Sequence, residues 1–532
     1  MFNRIFNSQT KTITFAAVLL AISALLSGLL GLLRDRLLAG RFGAGSELDI
    51  YFAAFRIPDF IYGILIMGGI SAVFLPLFSE YFHKNKEEAW QFTSNLLNVF
   101  LILLIFLCGF LAILTPWLIQ LIVPGFGPEE KSLAVSLTRI MFLSPIFFGL
   151  SSIFSGVLHY FNRFLTYALA PILYNLGIIF GIIFLVPVFG LPGLAYGVVT
   201  GAFFHWAIQI PAAKSSGFKY LPVLNFKSPG IIKSFKLMIP RTIGAAAYHL
   251  NLIVITAIAS TLIAGSIAVF NFAHHLQYFP IALIGASFAI ASLPTLSRAW
   301  VNGFRGEFLG SFSSTFRQIL FLIVPISALM FLLRAQIVRL ILGTGKFDWS
   351  ASQLTAAVLG LFCLGMFAFA FIPFLARVFY SFQDTKTPTF IGAGSMVLNV
   401  ALAFSLVWAL GFPNFFQELI KTNLKLGGIE NIAVVGLPLA LSLAGIFQFF
   451  LLMFFLKKKM GDIKLKEIGR SLRKIIFASL LMALAVYLLL PQVILAVIFG
   501  PLVYLLAVYL FRSPELKTIK SSILRNNYGK HP

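Results

Sequence analysis

Val99-Phe100-Leu101-Ile102-Leu103-Leu104-Ile105-Phe106-Leu107-Cys108-Gly109-Phe110-Leu111-Ala112-Ile113-Leu114-Thr115 carries no charge over seventeen residues. The apolar run around it covers 92–123. A helix rises about 1.5 Å per residue, so roughly twenty such residues cross a hydrocarbon core about 30 Å thick. The stretch therefore reads as a spanning helix. Working outward on the same basis, the spans are 13–33, 49–78, 92–123, 132–158, 166–188, 191–212, 232–262, 266–296, 315–342, 352–381, 387–411, 432–456, 474–490 and 492–511, about fourteen in all. Several contain proline (Pro58, Pro76, Pro145, Pro240, Pro280, Pro294 and Pro373). Each proline removes an N–H and frees a carbonyl that neighbouring groups must satisfy, so kinked or broken helices are expected.

Composition places the chain in the same class. Of 532 residues, 59% are hydrophobic and 11% charged, the mean hydropathy is +0.96, and 60 are Phe. A soluble fold cannot hide that much apolar surface. Cys108 and Cys363 lie far apart inside apolar runs and read as small buried hydrophobes; no disulfide framework or metal-ligand spacing is present. Met1–Thr12 leads into an apolar stretch too long for a signal-peptide core, with no small-residue cleavage site before Arg34. It reads as a retained first helix.

The net charge of +23 raises nucleic acid or anionic lipid as partners. The positions of the charges decide between them. With the N-terminus in the cytoplasm, the inside segments hold Arg4 and Lys11, Lys214 to Lys236, Arg298 to Arg317, Lys457 to Lys474, and Arg512 to Lys530. The outside loops are short and poor in base, and one carries Glu129 and Glu130. This is the positive-inside bias of an inner-membrane protein with both termini cytoplasmic. It accounts for most of the basic excess without nucleic acid. Arg34, Arg36, Arg41, Arg56, Arg139, Arg241, Arg334, Arg339 and Arg377 are left over.

An internal repeat organises the spans. Ala44-Gly45-Ser46, Phe52-Ala53, Pro58 and Leu75-Pro76 in the first half match Ala264-Gly265-Ser266, Phe272-Ala273, Pro280 and Leu293-Pro294 in the second, at an offset of about 220 residues. Tyr160 matches Tyr380, and Asn175 parallels Asn399. The ordered series predicts an all-α polytopic membrane protein with two pseudo-symmetric six-helix lobes in parallel repeat, plus two C-terminal helices. Transporters built this way hold substrate at the repeat interface. The expected limits are 1–212 for the N-lobe and 213–456 for a cytoplasmic linker and C-lobe. Residues 457–511 form a basic linker with the last two helices, and 512–532 a basic cytoplasmic tail.

At this point the residues resemble the MurJ/MviN lipid II flippases of the MATE-like exporter superfamily. The carrying segments are Leu33-Arg34-Asp35 with Arg41-Phe42-Gly43-Ala44-Gly45 and Asp49, Phe55-Arg56-Ile57-Pro58, and Phe74-Leu75-Pro76. To these add Asn162-Arg163-Phe164 with Pro171 and Asn175, Phe279-Pro280, and Arg377-Val378-Phe379-Tyr380 with Asp384-Thr385-Lys386-Thr387-Pro388. The match spans most of the chain. It implies a flippase for lipid II, an undecaprenyl-diphosphate-linked peptidoglycan precursor, in cell-wall synthesis. It also implies a lipid-side groove for the polyprenyl tail on the last two helices. The chain departs from the family where a first-helix arginine falls on Gly28, a helix-2 arginine on Tyr62, an acidic residue on Met67, and an Asp-Arg pair on His274-His275. Of the cationic set, Arg34 (with Asp35) and Arg56 remain.

An ionised side chain inside a bilayer needs a partner or a polar surrounding. Arg34 and Asp35, at the expected outer end of the first helix, read either as a snorkelling interfacial pair or as a guanidinium that binds diphosphate while Asp35 holds it. The planar fork of Arg suits phosphate. Asp49, Arg56 and Asp59 recur at spacings of seven and three on one helical face, a polar seam. His274 and His275 read as packed polar rings, or as donors to phosphate in place of the lost arginine. Arg241, after Pro240, reads as a further lining residue. Arg377 with Asp384 reads as a structural ion pair.

The candidate span 232–262 has no Asp or Glu, so a cation site built on an acid there is excluded. Membrane potential offers another drive. No P-loop, zinc motif or catalytic triad order occurs, and Gly343-Thr344-Gly345-Lys346 lacks the spacing of a Walker loop, so the chain reads as no enzyme and needs no cofactor. The readings that stand are a lipid II flippase, a flippase for another polyprenyl-diphosphate saccharide, and a multidrug exporter of the same fold. The exporter would favour carboxylates over the basic set found here. The expected partners are lipid II or a similar anionic lipid, the phospholipid bilayer, and cell-wall synthesis proteins.

Overall fold

The computed structural model describes residues 13–64 and 70–516, with the side chains at 13–17, 71, 72, 240, 241 and 243–245 excepted. Among the described residues the regular structure is helical, without strands. Eleven helices among the described residues are long and apolar enough to cross a membrane. The described residues of three more segments, 46–64 with 70–84, 192–215 and 229–260, are helical for the most part and fall on the remaining expected spans. This is consistent with fourteen crossings. Their outer faces carry exposed large apolar side chains such as Phe106, Leu121 and Val188, which lipid solvates.

Packing divides the chain into two compact units, Met1–Ala268 with Ile341–Asp348, and Val269–Leu340 with Trp349–Pro532. In the first unit, α1 (Ile13–Phe42) runs well beyond the expected end at 33. A hydropathy scan stops at Arg34, but Asp35 pairs with that guanidinium, and a helix keeps every backbone group bonded through the charged turn. Over the expected span 49–78 the described residues form α2 (Ser46–Ala54), α3 (Arg56–Ile61) and α4 (Ser71–Lys84). The first break follows from Pro58, whose ring crowds the carbonyl four residues back. That carbonyl, of Ala54, accepts instead from Thr138 Oγ1 at 3.3 Å.

The rest of this unit comprises α5 (Lys86–Ile122), α6 (Pro128–Met141), α7 (Leu143–Tyr160), α8 (Phe164–Phe180), α9 (Pro192–Ala207) and α10 (Pro229–Ser260). Helix α8 packs on both α1 and α9. Glycines set the second contact: a Cβ on Gly177 would fall 2.2 Å from Gly201 Cα, and one on Gly181 2.5 Å from Gly197 Cα. In lipid no hydrophobic effect drives helices together. Close backbone approach through small residues supplies the packing. On its other contact, with α1, α8 carries Asn175.

The second unit holds most of α11 (Ser266–Ile281), then α12 (Ser287–Val301), α13 (Arg305–Leu332), α14 (Trp349–Ser381), α15 (Lys386–Leu410), α16 (Gly436–Met460), α17 (Leu465–Leu488) and α18 (Val493–Leu510). Helices α14, α15 and α16 pack together, and α13 bridges α14 to α17. A π-turn, Ala282–Ala286, follows Pro280, the expected site of irregular helix. The last two helices are tied to α13. Tyr504 Oη donates to the Phe321 carbonyl at 2.7 Å, and the buried Glu515 carboxylate accepts from Arg317 and Ser471.

Candidate anion site in the first unit

Arg34 lies about two turns inside the end of α1, with 19% of its side chain exposed, while Asp35 is buried. The guanidinium donates through Nε (3.0 Å) and Nη2 (2.8 Å) to one oxygen of Asp35. Nη1 donates to Asn175 Oδ1 on α8 at 3.3 Å. The Asn175 amide in turn donates to Ser27 O, Ser27 Oγ and Pro171 O, each at 3.2 Å. These bonds fix which way the amide faces, and so aim its oxygen at Arg34. Burying the charge without such partners costs several kcal/mol. The snorkelling alternative needs the charged head to reach water, and this one is held by a buried carboxylate and an amide.

Arg56 opens α3 and is buried, donating through Nε to Thr256 Oγ1 on α10 at 2.6 Å. Thr256 Oγ1 itself donates to the Leu252 carbonyl. Asp59, one turn on, is half-buried and within electrostatic reach of Arg56. Tyr51 and Tyr174 both lie within electrostatic reach of Arg34 and of Asp59. Tyr248 and His249 approach Arg56 from α10. These charged and phenolic groups, drawn from α1, α2, α3, α8 and α10, lie within electrostatic reach of one another around Arg34 and Arg56. A guanidinium fork aimed by fixed side chains binds phosphoryl oxygens with little reorganisation.

Asp49 takes another place. Its carboxylate accepts from the backbone N–H groups of Gly265 and Ala268, both at 2.7 Å. It caps the start of α11 and stands apart from the Arg56–Asp59 turn it was grouped with. His274 and His275 belong to the second unit. The His274 ring stacks on Phe270 at 6.0 Å and meets Phe362 edge-on at 5.8 Å, and its own neighbour His275 lies 6.4 Å away. The Arg241 side chain and Met67 lie outside the described residues. Asp384 pairs with Lys459 at 2.8 Å.

Tyr51, Tyr174, Tyr248, His249 and Thr256 join the site only in the folded chain. Tyr51 and Tyr174 each stand within two residues of a flagged position, Asp49 and Asn175. Thr256 and His249 give no such signal, because a lone hydroxyl or imidazole in an apolar span is as easily a packing residue.

Comparison with known proteins matches residues 38–507 to the family model described as "Lipid II flippase MurJ". A probable lipid II flippase MurJ of Buchnera aphidicola is 28% identical over 519 residues, covering 96% of this chain and 93% of the relative. The lipid II flippase MurJ of Burkholderia cenocepacia is 30% identical over 387 residues, covering 70% and 74%. Among solved structures, a lipid II flippase MurJ in an inward closed conformation superposes with a TM-score of 0.75 at 25% identity, covering 93% of this chain and 98% of that one. An inward-facing multidrug resistance MATE transporter superposes at 0.65 with 13% identity, covering 84% and 99%, a likeness of fold alone.

Proposed function

Because the chain belongs to the lipid II flippase MurJ family, we propose that it carries lipid II from the inner to the outer leaflet of the bacterial inner membrane by alternating access. The observation that carries this reading is the cluster of polar groups around Arg34 and Arg56. Two guanidiniums, each held by a neighbouring helix, offer charge-assisted hydrogen bonds to the diphosphate. Asp35 and Asp59 keep the cluster near neutral when no substrate is bound, which lowers the cost of holding it in a low-dielectric span. A substrate diphosphate then competes for the same donors, and release needs only the return of those internal partners.

The basic loops support an orientation with both termini cytoplasmic. The repeat supports two six-helix lobes, 1–212 and 213–456, with 457–511 adding the last two helices and 512–532 a basic tail. Export of a net negative headgroup from an inside-negative cell gains about 2.3 kcal/mol per charge per 100 mV. Membrane potential is therefore the drive this reading assigns. His274, His275 and Arg241 are further candidate contacts to the headgroup, and cell-wall synthesis proteins are the partners it expects.

The deciding experiment is rescue of a bacterium depleted of its own lipid II flippase. The unaltered chain rescues growth and Arg34→Ala, at equal membrane abundance, does not. Failure of the unaltered chain at normal abundance, or full rescue by Arg34→Ala, overturns the reading.

A further inference from the structure

Two arginines outside the cluster, Arg36 and Arg41, line one cavity of about 330 Å³ at the far end of α1. Gly40, Ile182, Ile183 and Thr344 complete most of the wall, and none of the lining residues is acidic. Arg36 Nη1 donates to the Ile341 carbonyl and Arg41 Nη1 to the Ile182 carbonyl, both at 3.3 Å, so each guanidinium is oriented by backbone. Ile182 sits in the π-turn Gly181–Leu185, where the regular i→i−4 bonding gives way to i→i−5. Gly40 lets Thr344 pack close against α1: a Cβ there would fall 2.9 Å from Thr344 Cγ2. Thr344 is held close by the Lys346 N–H, which donates to the Gly40 carbonyl at 2.8 Å.

The surroundings say what kind of molecule reaches this place. Leu33 and Ile183 beside it are 44% and 45% exposed, and Phe184 is 58% exposed, so the cavity is flanked by a lipid-facing apolar surface. Under the orientation of the proposed function, on which this inference rests, the site lies at the outer leaflet. Arginines are disfavoured there by the same bias that fills the inner loops. Paired guanidiniums at that level are matched by an anion that itself lives in the leaflet.

We propose that this cavity seats a lipid-borne phosphoryl group between Arg36 and Arg41, the lipid's hydrocarbon lying along Leu33, Ile183 and Phe184. A resident anionic phospholipid and the diphosphate of a delivered polyprenyl lipid share this chemistry. In the first case the site is a structural lipid seat; in the second it is a landing point after transport.

The test is native mass spectrometry on the full purified chain with three probes: phosphatidylglycerol, undecaprenyl diphosphate and inorganic phosphate. Arg36→Gln/Arg41→Gln should retain one or both lipids about tenfold less than the unaltered chain, and Arg36→Lys/Arg41→Lys should recover part of the loss. Loss confined to one lipid names the source. Thr344→Trp, which fills the cavity and leaves both charges in place, should reproduce the loss if the glutamine variant does not fold. Equal retention of both lipids by the folded glutamine variant, or by Thr344→Trp in its place, overturns the proposal. So does full displacement by inorganic phosphate at equal concentration, which would make the lipid irrelevant. Arg339→Gln, altered in a cation stacked on Trp349 at 3.7 Å, serves as a control and should bind normally. A chain that shows this lipid retention but fails to rescue the depleted bacterium removes the flippase reading and leaves the lipid seat standing.

Discussion

Asp49 Oδ2 and the backbone nitrogen of Gly265 are 2.7 Å apart across 216 residues of chain. The bond joins the two repeat-related segments, Ala44-Gly45-Ser46 and Ala264-Gly265-Ser266. Gly265 has φ +92, and a Cβ there would fall 2.2 Å from the Ala44 carbonyl oxygen, so only glycine fits. The carboxylate also sits at the positive end of α11, where it satisfies N–H groups that no helical carbonyl can reach.

Asp49→Ala should therefore cost about 1–3 kcal/mol, because two buried N–H donors lose their acceptor. Asp49→Asn keeps one acceptor oxygen and should cost less. Thermal unfolding of the detergent-solubilised chain reads both. Equal midpoints for Asp49→Ala and the unaltered chain would show that the cap contributes nothing.

Asn175→Leu removes the amide that aims Arg34 from α8. Growth rescue should drop about tenfold or more, as expected when a charge-assisted bond is lost from a binding group. If the amide acts through Arg34, combining Asn175→Leu with Arg34→Lys should cost little more than Arg34→Lys alone. Additive losses would mean that Asn175 works elsewhere.

For the second arginine the informative change is Thr256→Val, nearly the same shape without the hydroxyl. It leaves Arg56 buried beside an apolar methyl, so transport should fall while membrane abundance changes by less than about twofold. Arg56→Gln should fail to rescue. Normal rescue by Arg56→Gln would remove it from the diphosphate site.

At the α8–α9 crossing, Gly197→Leu forces backbones apart where Gly181 Cα would lie 2.7 Å from an added Cβ. Overpacking of this kind costs about 1–3 kcal/mol. Loss of folded protein in fluorescence-detected chromatography, with Gly428→Leu on an open loop as comparison, checks it. Normal yield of Gly197→Leu would mean the crossing can relax.

Outside the membrane, burial alone would raise the Asp384 carboxyl. The Lys459 ammonium and the Thr387 N–H and hydroxyl outweigh it and hold the group below the usual carboxylate range. Stability from this pair is therefore complete at neutral pH and is lost as pH falls through the lowered value. Lys459→Ala should move the acid-side loss to higher pH. Lys459 is 40% exposed, so the effect at pH 7 stays under about 1 kcal/mol. An unchanged acid limb in a pH series of unfolding midpoints would contradict the assignment.

Much of the fold could be read from the chain alone. Apolar runs of spanning length, the basic asymmetry of the loops and the 220-residue repeat each follow from local composition or spacing. Boundaries were harder. Helix α1 passes through Arg34 because a pair one residue apart cancels its own charge, which a hydropathy sum counts as two penalties. The break at Pro58 was foreseeable, but its repair by Thr138 was not, since the donor lies 84 residues from the Ala54 carbonyl it reaches.

The candidate site was legible only in its charges. Arg34, Asp35, Arg56 and Asp59 stand out because ions are rare in apolar spans. Asp49 stood out for the same reason, yet its partners are backbone amides of a distant turn. Residue types and their order thus determined that this chain lies in a membrane and which ions must be explained. Tertiary packing decided what each ion touches. A guanidinium's role depends on the acceptors brought to it from other helices, and Asn175, Thr256, Tyr51 and Tyr174 reach the arginines only once glycine contacts and broken helices have set the distances.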